Sequence, residues 1–296
     1  DFTSQIASIQ RSFAAFDHIE ELFIEPLAEQ DRVLYSIDEV HDKLQRFESL
    51  EFKNVSFRYK PGGPLVLNNV SFSLRQGNQL ALVGTTGSGK STVMRLIAKV
   101  YQDYDGSILL NGLELAQIPT DQVTPLFSLM QQDVFLFEQS IGFNIALGKE
   151  GVGPEQIKQA AQYVYADDFI SAQPGGYDLQ LSSNGGNLSA GQTQLISFAR
   201  AVAQGGQVMM LDEATSSVDS VTESLIQKAI SRLFKAKTVI AIAHRLSTIR
   251  DSDQILVLHQ GQIVERGNHD QLIAQQGVYA NLLNEIEVTD GAVNLA

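Results

Sequence analysis

Cysteine is missing from these 296 residues. Without thiols there is no disulfide framework and no thiolate metal site, a composition that suits a reducing compartment. No apolar run approaches the ~18–20 residues that span a bilayer, and no signal-peptide pattern opens the chain. Positive charge is scarce: 21 Lys and Arg stand against 34 Asp and Glu, for a net charge of −13. That balance argues against non-specific nucleic-acid binding, which runs on a Lys/Arg excess, and against lying on an anionic membrane surface. With 44% hydrophobic and 19% charged residues, the chain reads as ordinary globular material, soluble when taken alone, of one large domain or two small ones. It begins with Asp rather than Met and so reads as an excised fragment.

Glycine, by contrast, is concentrated where it carries chemistry. Gly84-Thr85-Thr86-Gly87-Ser88-Gly89-Lys90-Ser91-Thr92 follows the apolar run Gln79–Val83 and opens a stretch in which Val93, Leu96, Ile97, Val100 and Tyr101 recur at helical spacing. Strand, glycine-rich turn and helix together make a G-x-x-x-x-G-K-[ST] match into a phosphate-binding loop. Glycines let backbone N–H groups turn inward around phosphate oxygens, and the helix N-terminus adds partial positive charge. Lys90 reaches the β- and γ-phosphates of a nucleoside triphosphate, and the Ser91 hydroxyl ligates Mg²⁺.

Before this loop two patterns alternate. Phe2, Ile6, Ile9, Phe13, Phe16, Ile19 and Phe23 form a helical stripe, broken by Pro26, and the polar stretch Glu25–His41 reads as a linker or loose helix. From Leu50 the spacing becomes strand-like, through Phe52, Val55, Phe57 and Tyr59, with further strands at Asn69–Leu74 and Gly106–Leu110 before an Asn111-Gly112 turn. Residues 140–205 are mostly helical in pattern. Short apolar runs return at Val208–Leu211, Thr238–Ala243 and Gln254–Leu258, interleaved with helical stretches such as Glu223–Leu233. This alternation predicts an α/β fold with a largely parallel sheet.

A phosphate loop needs a carboxylate to do chemistry. Asp212 and Glu213 follow a continuous apolar run of the kind a doubly covered strand requires. Asp212 is placed to hold Mg²⁺, and Glu213 to orient or deprotonate the attacking water. His244 ends the run Thr238–Ala243 in the same way, at the sheet edge where α/β ligands bind. His18, His41, His259 and His269 have no such setting.

Leu188-Ser189-Ala190-Gly191-Gln192, between the phosphate loop and Asp212, resembles the LSGGQ signature of ATP-binding cassette (ABC) ATPases. With the Walker motifs, Ser216–Asp219 and His244 in order, residues 47–285 resemble the nucleotide-binding domain of an exporter-type transporter. The resemblance implies a P-loop NTPase core with a mainly parallel sheet, an antiparallel β subdomain and an inserted α-helical subdomain at about 134–200. Residues 1–46 then look like the cytoplasmic end of the last transmembrane helix and its linker, and 286–296 like a tail. It also implies site roles: Tyr59 stacks on adenine, Gln132 (rather than the neighbouring Gln131) is the Q-loop residue at Mg²⁺ or the water, and Asp219 is the D-loop residue. Ser189, Gly191 and Gln192 would meet the ATP of a second, head-to-tail subunit, in a homo- or heterodimer. The implied partner beyond that dimer is the transmembrane domain, on the cytoplasmic side of a membrane. Ala190 departs from the signature's second glycine, and Asn184 stands where exporters often carry an acid.

The expected activity is Mg²⁺-dependent ATP hydrolysis driving an exporter. A non-transport ABC ATPase would carry coiled-coil or DNA-binding insertions and a basic face. A nucleotide-gated module without turnover would lack Glu213 or His244, and a GTPase would carry an N-K-x-D loop. The chain is acidic and compact, keeps Glu213 and His244 and has no N-K-x-D loop; the first two classes stay as the alternatives to the exporter reading.

Overall fold

A computed structural model describes residues 35–130, 134–182, 185–212, 220–243 and 249–284. The apolar stripe Phe2–Phe23, Pro26 and the 286–296 tail lie outside the described residues, as do Gln131, Gln132, Asn184, Glu213, Asp219 and His244.

Strands β1 (Ser49–Phe57), β2 (Leu67–Arg75), β4 (Asp105–Leu110) and β5 (Leu113–Glu114) pair antiparallel in the order β2-β1-β4-β5. Asn111 and Gly112, at φ 50 and 79, make the left-handed two-residue turn that joins β4 to β5. The second sheet takes β3 (Gln79–Val83), β6 (Phe127–Met130), β7 (Val208–Asp212), β8 (Thr238–Ile242), β9 (Gln254–His259) and β10 (Gln262–Gly267) in the order β10-β9-β3-β8-β7-β6. All of its pairs are parallel except β10 with β9.

The apolar runs of the parallel strands are buried on both faces, and alternate residues feed different cores. Leu80, Leu82, Val208, Met210, Ile240 and Ile242 face the antiparallel sheet, whose Phe52 and Phe72 stack with ring centroids 4.5 Å apart. Met209, Leu211, Val239 and Ala241 face the other way, onto a helical layer. That layer draws on α3 (Ile141–Ala146), α4 (Pro154–Tyr163), α5 (Asp167–Ala172), α6 (Ala190–Ala203) and α7 (Ser220–Ala236). Helix α2 (Lys90–Ile97), after the phosphate loop, packs Val93, Leu96 and Ile97 into the first core.

Part of the stretch that reads as a linker is an ordered helix. In α1 (Ile37–Leu44), Ser36 Oγ accepts from Glu39 N at 3.3 Å, and Glu39 Oε2 accepts from Ser36 N at 3.0 Å. Its polar surface hides a narrow apolar edge: Val40, Leu44 and the following Phe47 are buried in the first core, each worth about 1.5–3 kcal/mol. Asn111 ties the far end down, its Nδ2 donating to Lys43 O and Arg46 O. The compact unit accordingly begins at Tyr35. Among the described residues, no helix is long and apolar enough to cross a membrane.

Candidate active site

The loop between β3 and α2 is glycine-rich because its backbone runs against other backbone. A Cβ on Gly84 would lie 2.2 Å from Leu258 O, and one on Gly89 would lie 2.7 Å from Leu67 Cδ2 at a φ of 107°. Gly89 caps α2 without a side-chain hydrogen bond, which leaves the first N–H groups of the helix to the loop. The Lys90 amine is buried and folds back to donate to Gly84 O at 2.7 Å, Thr85 O at 3.0 Å and Ser88 Oγ at 3.4 Å. Burial holds this amine below the ordinary lysine range, and the carboxylate of Asp212 acts in the opposite direction.

A pocket of about 320 Å³ opens above the loop. It gathers the loop residues Thr86 to Thr92, Tyr59 from the end of the antiparallel sheet, and Asp212 and Ile242 from the C-terminal ends of β7 and β8. The register explains the convergence, because Asp212 lies beside Ile242 and Ile242 beside Leu82, one residue before Val83. Thus Tyr59, Thr86, Gly87, Ser88, Gly89, Lys90, Ser91, Thr92 and Asp212 line one pocket. Gly84 and Thr85 support the lysine from behind.

The donors fit Mg²⁺. Ser91 and Asp212 both line the pocket and carry hard oxygen donors, and Mg²⁺ usually takes one or two protein oxygens with phosphate and water completing the shell. Among the described residues there is no group of three or more His, Cys, Asp and Glu that would make an all-protein cage.

Tyr59 has a role beyond its ring. Its edge contacts with Phe57 and Tyr101, at 5.1 and 5.3 Å, leave it 42% exposed. The hydroxyl is 2.8 Å from Thr92 Oγ1 and accepts from Arg95 Nη1 at 3.2 Å. Stacking alone predicts that phenylalanine would be a silent replacement; these bonds anchor the ring to α2 and predict otherwise. Tyr59→Phe is expected to weaken ATP binding by about 1 kcal/mol, roughly fivefold. Tyr59→Ala should cost about 1–3 kcal/mol. Equilibrium titration with ATP measures both, and wild-type affinity in the Phe variant would dismiss the anchoring role. Arg95 and Val66, which lines the pocket, carry no motif that would have marked them in the sequence.

The turn between β9 and β10 locks these parts to one another. Gly261 N donates to Ser88 O at 3.1 Å, and Gly261 O accepts from Asn68 N at 2.9 Å. A Cβ on Gly261 would sit 2.4 Å from Val66 O. Arg266 Nη2 adds a bond to Ser71 O at 2.7 Å, so the antiparallel sheet, β10 and the phosphate loop are bonded in one chain of contacts.

Ser189, Gly191 and Gln192 do not line this pocket. They form the first turn of α6, where Ser189 Oγ accepts from Gln192 N and Gln192 Oε1 accepts from Ser189 N, at 3.2 and 3.1 Å. Gly191 is buried, whereas Ala190 is exposed in the first helical position, so its methyl meets no obstacle. Gln132, Glu213, Asp219 and His244 lie outside the described residues.

Residues 67–216 match a protein-family model described as ABC transporter. The ATP-dependent lipid A-core flippase of Aliivibrio fischeri is 42% identical over 281 residues, which are 95% of this chain and 47% of that protein. The fatty acid ABC transporter ATP-binding/permease protein of Mycobacterium bovis is 43% identical over 230 residues, 78% of this chain and 36% of that protein. Among solved structures, a bacterial Atm1-family ABC exporter with ATP bound is similar at a TM-score of 0.78 and 32% identity, over 95% of this chain and 48% of that one. The chain therefore spans about half the length or less of these relatives.

Proposed function

The chain belongs to the ABC transporter family, whose ATP-binding domains hydrolyse ATP, and from that premise we propose that it is the motor domain of an exporter. The observation that carries the reading is the convergence of Tyr59, Lys90, Ser91 and Asp212 on one pocket at the C-terminal edge of a parallel sheet. Tyr59 holds the adenine, and Lys90 with the loop amides holds the phosphates. Ser91 and Asp212 hold Mg²⁺, which when bound neutralises phosphate charge. Glu213 takes the proton of the attacking water, while His244 steadies the γ-phosphate and Gln132 contacts the water or metal.

In this reading the chain up to residue 34 leads in from the last transmembrane helix, and 286–296 are a tail. The nucleotide-binding domain takes in α1 as well as 47–285, because Val40 and Leu44 are buried in its core, and it carries a helical subdomain at about 134–200. The domain works on the cytoplasmic side of a membrane. An exposed aromatic patch supports a membrane-domain partner: Phe135, Phe137 and Phe143 pair edge to face at 5.0 and 6.2 Å and remain uncovered. The patch is tied to the signature helix, since Arg200 of α6 donates Nη1 to Phe135 O and Nε to Asn144 O, at 3.0 and 2.8 Å.

Two such domains close head to tail, and Ser189, Gly191 and Asp219 of each complete the other's site. Mixing two crippled chains tests this. Ser189→Arg damages the site of the partner chain, and Lys90→Met damages its own. Mixed dimers should contain one intact composite site and recover ATPase activity above either variant alone. Dimers shown to form without recovery would sink the shared-site reading for a homodimer.

A further inference from the structure

A second polar hollow lies away from the nucleotide pocket, between α7 and the turn that joins α4 to α5. It measures about 520 Å³. One face of α7 supplies Ser224, Gln227, Lys228, Ser231, Arg232 and Lys235, and the turn supplies Tyr165. The three cations follow the i, i+4, i+7 spacing of one helical stripe. Among the described residues no carboxylate lines the hollow, in a chain where acids outnumber bases 34 to 21. The only acid of α7, Glu223, accepts from Gln227 Nε2 at 3.3 Å.

Two features separate this face from a merely solvated basic helix. The first is a cation already held in place: the Arg232 guanidinium lies 4.1 Å over the Tyr163 ring and donates Nη1 to Tyr163 O at 3.1 Å. Its fork is thus ordered before any ligand arrives. The second is Tyr165, the left-handed residue (φ 63) that ends α4, where Tyr165 N donates to Gln162 O at 3.3 Å and Ala166 N to Ala161 O at 2.8 Å. That turn holds Tyr165 outside the core, exposed, and lining the hollow with the three cations.

We propose that this hollow is a second anion site, distinct from the ATP site, for a small soluble phosphate ester. Lys228, Lys235 and the ordered Arg232 receive the phosphoryl oxygens, with the Ser224 and Ser231 hydroxyls as further donors. Tyr165 packs against the organic part of the ligand. The net charge of −13 disfavours an anionic bilayer as the occupant.

The test saturates the protein with Mg²⁺ and a non-hydrolysable ATP analogue, then titrates inorganic pyrophosphate by calorimetry. Saturable binding is expected, weakened about tenfold or more in Lys228→Glu/Lys235→Glu, with affinity for the ATP analogue equal in the two proteins. The milder Lys228→Gln/Lys235→Gln should give an intermediate loss. With phenyl phosphate as probe, Tyr165→Ala should weaken binding several-fold, while leaving pyrophosphate binding unchanged. Absence of saturable binding to the nucleotide-saturated protein, or equal binding by the charge-reversed variant, would overturn the proposal. Co-sedimentation with phosphatidate vesicles that disappears in the double variant would also overturn it, by reassigning the site to a lipid headgroup.

Discussion

Glu213→Gln should slow ATP hydrolysis by roughly 10²–10⁴-fold and leave ATP affinity intact. The substitution keeps the size and hydrogen-bonding reach of the side chain and removes only its capacity to take a proton. Asp212, directly before it in sequence, lines the phosphate pocket at the end of β7. In the proposed mechanism the ground-state contacts to ATP belong to Lys90, Ser91 and Tyr59, and none is altered. The variant should also accumulate as an ATP- and Mg²⁺-bound dimer, because closure is retained while the step that reopens it is blocked. Single-turnover hydrolysis beside an ATP titration separates the two effects. A wild-type rate would remove Glu213 from the mechanism.

Lys90→Met has the opposite signature. It should abolish measurable ATP binding while leaving the empty protein at least as stable as the wild type. The reason lies in the electrostatics of the loop. Burial depresses the pKa of the amine, so the charged form is less favourable folded than unfolded. The sign follows directly: the unfolded chain holds this proton more tightly, and the charge costs stability at every pH below the depressed pKa. The cost fades only as pH climbs toward the ordinary lysine value. Methionine keeps the packing of the stem and removes the charge. Thermal unfolding with and without ATP reads both halves: the nucleotide-induced rise in Tm should vanish, and the Tm without nucleotide should not fall. A large destabilisation of the empty variant would mean that the bonds to Gly84 O and Thr85 O outweigh the desolvation of the charge.

Legibility in the sequence followed burial pattern. Runs such as Gln79–Val83 and Val208–Leu211 are apolar on consecutive residues because both sheet faces are covered, and they read as strands within a residue of their bounds. Strand β10 escaped notice because Gln262–Gly267 sits at the sheet edge with no residue of it fully buried. Strand β6 is only four residues long, and its Ser128 is buried, accepting a bond from Gly206 N. A buried serine breaks the apolar signal. Helix α1 was obscured by its charged surface, since Val40 and Leu44 are the only buried side chains among its described ones. In the site, the glycine loop and Asp212 were visible as motifs because chemistry fixes their residue types. The Tyr59 anchor was not, because it depends on Thr92 and Arg95 meeting a phenol more than thirty residues away.

The Gly261 turn carries a consequence for which ligands the domain selects. Bonded to the phosphate loop on one side and to the strand after Tyr59 on the other, it sets the interval between aromatic platform and phosphate cradle before any nucleotide arrives. The pocket then behaves as a gauge of fixed length. A nucleotide that spans the interval from ring to loop is accepted at its full reach, and a shorter one must surrender one end. If Tyr59 receives the base as proposed, discrimination by size of this kind needs no contact to the hydrogen-bonding edge of the base, and such a site is tolerant of the base and strict about the chain of phosphates.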